Sequence, residues 1–316
     1  MDPRPADVPP DGAADAGPVV LDGGLATELM ARGHDLSDRL WSARLLLTDP
    51  AAIELVHLAY YRAGAQVAIT ASYQASIEGF ASVGLDRAEA LSVMQSSVAL
   101  ADRARSTFRA ETGSTDTLLV AGSVGPYGAY LADGSEYRGD YDLDPAAFRA
   151  FHLPRMAALV TAGADLIALE TIPTVREAEV LVGLLDEVGT SGWLSYSCRD
   201  AAHTSAGEPI EAAAALGDHP RVVAVGINCT APRFLPDLLA RAQAVTTTPL
   251  IAYPNGGDRW DADARTWVAD DGGRYDPATV ATWRDVGAGW LGGCCGTRPA
   301  DIQALAGALA ANGAAA

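Results

Sequence analysis

Short apolar runs alternate with amphipathic runs along most of this chain, and this alternation restricts its fold more than any other feature. Eight segments have the composition of buried strands, namely residues 18–22, 66–70, 118–123, 165–170, 192–197, 222–228, 249–253 and 289–292. Helix-like segments follow them, at residues 51–63, 87–112, 145–162, 174–188, 208–217, 232–244, 277–286 and 299–311. Eight such units in 316 residues predict an α/β protein with a single-domain (β/α)8 TIM barrel.

An open, doubly wound sheet is the alternative architecture for the same alternation. The sequence Asp22-Gly23-Gly24 after the first predicted strand does not fit the glycine pattern of a dinucleotide-binding turn, so the barrel is favoured. Residues 1–17 are rich in Pro, Asp and Ala and are predicted to be a disordered tail, which leaves residues 18–316 for the barrel. The tail lacks the basic start and apolar stretch of a secretory signal, and the chain has no apolar run of about 18 residues. We therefore expect a cytoplasmic protein without a membrane span.

The charged residues exclude several classes of function. A formal net charge of -18 argues against nucleic acid and anionic membranes as partners. All 22 basic residues are Arg, so the chain contains no lysine. Schiff-base aldolases, pyridoxal-phosphate enzymes and P-loop proteins each need a lysine, and all three classes are therefore excluded.

The residues with reactive side chains fall at the carboxyl ends of the predicted strands. Cys294 and Cys295 occupy a glycine-rich turn after the eighth strand, and Cys229 follows the sixth. Acidic and hydroxyl side chains end three other strands: Asp22, Thr70 and Glu170. The carboxyl ends of barrel strands meet at one mouth, where barrel enzymes bind their substrates. If the three cysteines meet there, they would hold a zinc ion with one open position, at which a thiol substrate would ionise.

Two other interpretations of the cysteines stay open at this point. The turn around Cys294 and Cys295 could be the phosphate-binding loop of a barrel lyase or isomerase, with its cysteines incidental. Cys198, at the end of the fifth strand, could supply a fourth thiolate and close a structural zinc site. We expect Cys198 instead to be a small buried apolar side chain.

Three connections at the predicted mouth are longer than barrel loops usually are, at residues 24–50, 125–144 and 255–276. The second contains four tyrosines, and the third contains two tryptophans: Tyr127, Tyr130, Tyr137, Tyr141, Trp260 and Trp267. Long loops at this face are candidate lids over a binding site.

Seven short motifs resemble those of the zinc-dependent homocysteine S-methyltransferases. They are LDGG at residues 21–24, TASYQAS at 70–76, GSVGP at 122–126, ETIP at 170–173, GINC at 226–229, YPN at 253–255 and GGCCG at 292–296. The double-cysteine turn together with the Asn-Cys pair is highly specific, and the resemblance covers nearly all of the chain after residue 17. It implies a (β/α)8 barrel with zinc bound by Cys229, Cys294 and Cys295.

The resemblance also implies how the methyl acceptor binds. The ammonium group of homocysteine is expected between Asp22 and Glu170, where two carboxylates would neutralise it. Its carboxylate is expected near Thr70 and the backbone amides of Gly23 and Gly24.

Two further residues and the methyl donor follow from the same resemblance. Asn228 is expected to shape the metal site or contact substrate, and the ring of Trp41 to face a methylated cation. The single-barrel branch that this chain resembles uses S-methylmethionine, and sometimes S-adenosylmethionine, as donor. Selenocysteine as acceptor and betaine as donor are the alternatives within the family. Betaine-using relatives carry a C-terminal oligomerisation arm that this sequence lacks, so a monomer acting on small molecules is expected.

Overall fold

The computed structural model describes residues 17–37, 40–257, 259–261, 266–268 and 277–313. The described strands are β1 Val19–Val20, β2 Val67–Ile69, β3 Leu119–Val124, β4 Leu166–Ile172, β5 Gly192–Tyr196, β6 Val222–Asn228, β7 Leu250–Tyr253, β8 Arg259–Asp261, β9 Thr266–Val268 and β10 Ala288–Leu291. Eight of them form one parallel sheet in the order β1, β10, β7, β6, β5, β4, β3, β2. An isolated parallel bridge between Leu21 and Val67 joins the first and second strands, so the sheet closes into a barrel.

The helices lie between these strands in the chain. The described helices are α1 Leu25–Ala31, α2 Leu45–Thr48, α3 Pro50–Arg62, α4 Ile77–Ala81, α5 Arg87–Thr112, α6 Tyr127–Leu131, α7 Pro145–Thr161, α8 Val175–Val188, α9 Ile210–Ala214, α10 Leu235–Gln243, α11 Pro277–Asp285 and α12 Pro299–Gly313. Short 3-10 helices occur at Trp41–Arg44, Ser135–Tyr137, Ala215–Asp218 and Pro232–Phe234. At least one helix therefore follows each barrel strand, and α9 after β5 is short, with five residues.

The predicted barrel is confirmed, and the open-sheet alternative is wrong because the first strand is bonded on both sides. Each predicted strand overlaps an observed one. The prediction missed α1, α2, α6 and the antiparallel β8–β9 hairpin, which lie in the long connections, and α4, which lies between β2 and α5. Residues 1–16 of the predicted tail and the side chains of Trp260 and Trp267 lie outside the described residues.

Side chains of the strands fill the barrel, so its centre is a core rather than a channel. The indole rings of Trp193 on β5 and Trp290 on β10 have centroids 6.1 Å apart, and small neighbours such as Ala121 and Ala168 leave room for them. The Trp193 ring nitrogen donates to the Tyr253 hydroxyl at 2.9 Å, so this polar atom is buried with a partner. A larger apolar cluster lies between the strands and the helices. Dense packing on both faces fixes the strand ends above the core.

Helix ends explain why the predicted and observed helices agree. α5 begins after Asp86, whose carboxylate accepts from the Glu89 amide at 2.9 Å, while the Glu89 carboxylate accepts from the Asp86 amide at 2.8 Å. The helix ends at Gly113, which has a left-handed φ of 69°. These signals are local in the sequence, so they can be recognised without knowledge of the fold. No helix among the described residues is long and apolar enough to cross a membrane.

One buried cation on α7 ties two loops of the barrel mouth together. Arg155 is 2% exposed, and its guanidinium donates to the carbonyl oxygens of Gly125 at 3.0 Å and Tyr73 at 2.7 Å. Tyr73 follows β2 and Gly125 follows β3, so one side chain satisfies backbone groups of both loops. Burial lowers the pKa of Arg155 to about 10, which leaves the group charged at neutral pH. The ring of Phe151 covers the guanidinium at 5.2 Å.

Replacing Arg155 with Met removes these donors and leaves buried carbonyl oxygens without partners. We expect the free energy of unfolding to fall by about 2–4 kcal/mol, measured by urea denaturation. Arg149→Met on the same helix is the matched control, because the ion pair of Arg149 with Glu187 is exposed and contributes less than about 1 kcal/mol. Equal losses in the two variants would contradict the role given to Arg155.

Helix α3 carries a histidine that the fold holds in its neutral form. His57 is fully buried, and neither ring nitrogen has a hydrogen-bond partner among the described residues. Burial lowers the pKa of His57 to about 4, because an imidazolium ion at this position would lose its hydration.

This histidine makes stability depend on pH. The unfolded chain protonates it at about pH 6.5, whereas the folded chain does so at about pH 4. Its contribution to stability is therefore complete above the unfolded pKa and is lost as the pH falls toward the folded pKa, by about 3 kcal/mol in total. Urea denaturation across this range should show that His57→Gln lacks that part of the pH dependence, whatever its stability at neutral pH. An unchanged slope in His57→Gln would contradict the assignment.

Candidate active site

A cavity of about 560 Å³ opens at the carboxyl ends of the barrel strands. Of the residues predicted to bind metal or substrate, all but Asn228 line this cavity: Asp22, Gly23, Gly24, Trp41, Thr70, Glu170, Cys229, Cys294 and Cys295. The fold thus brings together residues from the first strand and from the last, as expected for the mouth of a barrel.

Three cysteine thiols lie together on the cavity wall. The Sγ atoms of Cys229, Cys294 and Cys295 are all within 4.8 Å of one another, and those of Cys229 and Cys295 are 3.7 Å apart. Sulfur ligands of a tetrahedral zinc ion, each about 2.3 Å from the metal, would be about 3.8 Å apart. The thiols are free rather than disulfide-bonded. Their spacing fits three ligands of one metal ion, and the described part of the chain has no other such group of His, Cys, Asp and Glu.

Backbone geometry directs these thiols to one point. Cys229 has a φ of 45°, so the chain bends as it leaves β6, and its amide donates to the Tyr253 carbonyl at 3.1 Å. The turn with the other two ligands is closed by the Thr297 amide, which donates to the Cys294 carbonyl at 3.1 Å. A Cβ atom at Gly293 would lie 2.3 Å from the Thr297 hydroxyl oxygen. Glycine at this position therefore lets the turn pack closely.

Ionisation of the three thiols is coupled. Hydrogen bonds from Cys294 and Cys295 lower the pKa of Cys229 well below its usual value, and the Tyr137 hydroxyl, 3.2 Å from Cys229 Sγ, acts in the same direction. A thiolate on Cys229 in turn raises the pKa of the other two thiols. One negative charge is therefore held more readily than three. A divalent metal ion removes this limit, because coordinating thiols lose their protons.

Asn228 does not line the cavity but supports residues that do. Its side-chain amide donates to the Thr171 hydroxyl at 2.7 Å and accepts from the Thr171 amide at 2.7 Å. Thr171 lies where the pairing of β4 with β5 is irregular, so Asn228 replaces hydrogen bonds that the sheet does not supply. The Asn228 nitrogen is also 4.0 Å from Cys294 Sγ. A role of Asn228 in shaping the metal site stays a prediction. Its two hydrogen bonds to Thr171 are the contacts through which it would act.

Left-handed backbone conformations concentrate at this cavity. Among the described residues, the non-glycine positions with a positive φ all line it: Trp41, Ala132, Thr171 and Cys229. This conformation costs about 1–2 kcal/mol in a residue with a Cβ atom. It persists only where surrounding contacts determine the backbone, so the cavity wall holds strain that the rest of the barrel supports.

Two buried carboxyl groups face the cavity at the ends of β1 and β4. Asp22 Oδ2 accepts from the Ile69 amide at 2.8 Å, while its Oδ1 has no partner among the described residues. Glu170 accepts a hydrogen bond from the Ser123 hydroxyl. Burial raises the pKa of Glu170 to about 7 and raises that of Asp22 well above its usual range, with repulsion from Glu170 adding to the shift of Asp22. A cation placed between them would favour the charged form of both.

Thr70 influences the carboxyl of Glu170 through Ser123 rather than by a hydrogen bond of its own. Its hydroxyl accepts from the Ser123 amide at 3.0 Å and shares a hydrogen bond with the Ser72 hydroxyl at 2.8 Å. Thr70 therefore positions the serine that holds Glu170, and this structural use was not predicted from the sequence.

The two glycines after β1 differ in their backbone amides. The Gly24 amide donates to the Thr297 hydroxyl at 3.0 Å, so it is not free to bind a substrate carboxylate as the sequence prediction required. The Gly23 amide forms no hydrogen bond within the described residues. Of the two backbone amides expected to bind the substrate carboxylate, that of Gly23 is therefore the available one.

The loop after β3 is anchored to the barrel, in contrast to its prediction as a lid. The rings of Tyr130 and Tyr141 pack against Tyr127, with centroids 5.5 and 5.7 Å away. Buried Glu177 on α8 accepts from the Tyr127 amide at 2.7 Å and the Tyr141 hydroxyl at 2.5 Å. Tyr137 alone of the four tyrosines lines the cavity. No sequence pattern separates Tyr137 from the other three tyrosines, so its contact with the thiols was not predicted.

The turn around Cys294 does not suit a phosphate group. The amides of Gly293, Cys294 and Gly296 already donate to oxygen atoms of the protein, at 3.0, 2.8 and 2.9 Å. The adjoining cavity wall presents carboxyl groups, which repel an anion. The phosphate-loop interpretation of the cysteine pair therefore lacks the free amides it needs.

Comparison with known proteins identifies the family, since a family model for homocysteine S-methyltransferase matches residues 19–309. The chain belongs to the homocysteine S-methyltransferase family. The homocysteine S-methyltransferase of Escherichia coli strain K12 is 50% identical over 298 residues, which cover 91% of this chain and 94% of that protein. The selenocysteine Se-methyltransferase of Brassica oleracea var. italica is 43% identical over 304 residues, or 92% and 88% of the two chains.

Solved structures agree with this family membership. The metallated form of the homocysteine methyltransferase MmuM from Escherichia coli matches with a TM-score of 0.84 and 48% identity, over 93% of this chain and 96% of that one. The family resemblance and the barrel fold predicted from the sequence are thus both confirmed. That relative was solved in a metallated form.

The fourth cysteine provides a matched control for metal binding. Cys198 is not part of the thiol cluster, and burial raises its pKa. We expect the wild type and Cys198→Ala to bind one zinc ion per chain, because both keep all three ligands. Cys294→Ala should lose tight binding, because two thiolates remain. Elemental analysis after dialysis, with competition against a chromophoric chelator, measures both; full zinc retention by Cys294→Ala or loss in Cys198→Ala would contradict the assignment.

Proposed function

We propose that this homocysteine S-methyltransferase holds one zinc ion at Cys229, Cys294 and Cys295 and transfers a methyl group from a sulfonium donor to homocysteine. The observation that carries the proposal is the spacing of these three thiols on the wall of the cavity that also contains the buried carboxyls of Asp22 and Glu170. The Escherichia coli relative, 50% identical, is named for methyl transfer to homocysteine.

The chemistry of the ligands favours zinc. Thiolates select soft and borderline metals, and three protein ligands leave a tetrahedral ion one open position, which is typical of catalytic rather than structural sites. Bound there, zinc supplies a Lewis acid that lowers the pKa of a substrate thiol and provides a thiolate at neutral pH. No side chain of the cavity is then required as a general base.

The two buried carboxyls suit the amino group of the acceptor. Asp22 has one oxygen fixed by the Ile69 amide and the other unpaired, and Glu170 is oriented by Ser123. An α-ammonium group between them offsets part of their combined negative charge and donates to the unpaired oxygen. Homocysteine held in this way carries its sulfur two methylene groups away, within the cavity that the cysteines also line. The Gly23 amide is available for its carboxylate.

The transfer is a displacement at carbon. The homocysteine sulfur forms a bond to the donor methyl carbon while the bond from that carbon to the donor sulfur breaks. The electron pair of the broken bond stays on the donor, which leaves as a neutral thioether. A thiolate and a sulfonium lose their charges together, so a cavity with little water favours the step. With S-methylmethionine as the donor, two methionine molecules result.

The wall of the cavity suits a cationic donor. No arginine lines it among the described residues, and the chain contains no lysine. The rings of Trp41 and Tyr73, with centroids 6.3 Å apart in an edge-to-face arrangement, offer aromatic surface to a sulfonium group. We propose Trp41 as a donor contact on this basis.

Selenocysteine is a second candidate acceptor, because the Brassica relative at 43% identity is named for methyl transfer to it. Selenocysteine carries the same α-amino and α-carboxylate groups as homocysteine, so its amino group would use the same two carboxyls. Betaine, which has no sulfonium, is the less favoured donor.

Turnover with competing donors tests the proposed function. We expect zinc-loaded protein to convert homocysteine and S-methylmethionine to two molecules of methionine for each donor consumed. Chelation should abolish this activity, and added zinc should restore it, because the acceptor thiol is ionised at the metal. S-adenosylmethionine, betaine and selenocysteine assays rank the alternatives. Full activity of metal-free protein, or turnover with betaine alone, would overturn the proposal.

A further inference from the structure

The cavity wall holds another unpaired acid, which the reaction above does not use. Glu136 lies in the short 3-10 helix after β3 and lines the cavity. Its Oε2 atom is buried and forms no hydrogen bond to another described residue. The adjacent Arg138 does not neutralise it, because that guanidinium pairs with Asp140 at 2.8 Å. Burial raises the pKa of Glu136 to about 7, as expected for an acid that lacks a cation.

The backbone presents Glu136 at a defined place beside the metal cluster. Its carbonyl accepts from the Ser197 hydroxyl at 2.9 Å. The next residue, Tyr137, has its hydroxyl 3.2 Å from Cys229 Sγ. Glu136 therefore comes from a different element than the two carboxyls at the ends of β1 and β4.

The unpaired oxygen determines which chemical group fits. A buried hydrogen-bond acceptor needs an N–H or O–H donor, and an acid favours a donor that is also a cation. A sulfonium sulfur and a quaternary nitrogen carry no hydrogen, whereas an α-ammonium group carries three. Gln74 lines the same cavity, and its amide nitrogen donates to the Ala129 carbonyl at 2.8 Å. Its Oε1 atom has no hydrogen-bond partner among the described residues. The wall thus offers acceptors that match a primary ammonium group.

We propose that Glu136 binds the α-ammonium group of the methyl donor and so selects amino-acid sulfonium donors over donors that lack an amino group. The inference rests on the proposed function and adds the class of donor. Asp22 and Glu170 already bind the ammonium of homocysteine, so each of the two amino acids has its own acid. S-methylmethionine and S-adenosylmethionine fit this requirement, whereas betaine and simple dimethylsulfonium carboxylates do not.

The test compares S-methylmethionine with 4-(dimethylsulfonio)butanoate, which is the same molecule without its amino group. The wild type should prefer S-methylmethionine in kcat/KM. Glu136→Gln should lower kcat/KM for S-methylmethionine by about ten- to a hundredfold, the effect of losing a charged hydrogen bond, and change that for the deamino analogue less than about threefold. KM for homocysteine and zinc content should stay at wild-type values. Glu136→Asp keeps the charge and should retain part of the preference.

Asp142→Asn is the matched control, since this acid lies in the same loop, is exposed and pairs with Arg176 rather than Arg138; it should leave both donors unaffected. Equal losses with the two donors in Glu136→Gln, or no loss with either, overturn the inference.

Calorimetric binding of S-methylmethionine separates this inference from the proposed function. A wild type that binds this donor but forms no methionine refutes the proposed function, while weaker binding by Glu136→Gln still supports the inference. A wild type that neither binds nor reacts refutes both.

Discussion

Closure of the barrel between β1 and β2 is the constraint on which the active site depends. β1 has only two residues, yet Asp22 directly after it donates its amide to the Val67 carbonyl at 3.0 Å and accepts from the Ile69 amide at 2.8 Å. The Asp22 carbonyl accepts from the Gly293 amide at 3.0 Å. One residue thus seals the seam, orients its own carboxyl and holds the turn that carries two cysteines. The binding site is therefore part of the scaffold rather than an addition to it.

The strained positions around the cavity are supported by specific hydrogen bonds. Asn228 makes two bonds to Thr171, and the Tyr253 carbonyl accepts from the Cys229 amide. These bonds fix left-handed residues at the ends of β4 and β6, above a core that cannot yield easily. The sulfur atoms consequently lie at metal-ligand spacing through the fold alone. A site built in this way loses little conformational entropy when it binds its ion.

The strands, the longer helices and the three thiols could be predicted from the sequence, because their signals are local or follow from barrel geometry. Apolar runs and helix ends mark the elements, and the strand ends must converge. The short helices α2, α4 and α6 have four or five residues, too few to show a full helical period. Burial of a charged group is decided by distant packing, so Arg155 and Glu136 do not stand out in a chain with 22 basic and 40 acidic residues. Which of the Gly23 and Gly24 amides stays free to bind a substrate carboxylate likewise depends on Thr297, which is 273 positions from Gly24.

The hydrogen bonds of Arg155 to the loops after β2 and β3 go to backbone carbonyls and to no side chain. A backbone carbonyl is present whatever residue occupies the position, so these hydrogen bonds do not depend on the side chain of Tyr73. Glu136 lies further along the loop after β3, and its side chain takes no part in them. If Glu136 binds the methyl donor as proposed, a change of donor within this barrel requires a new side chain but no new loop conformation.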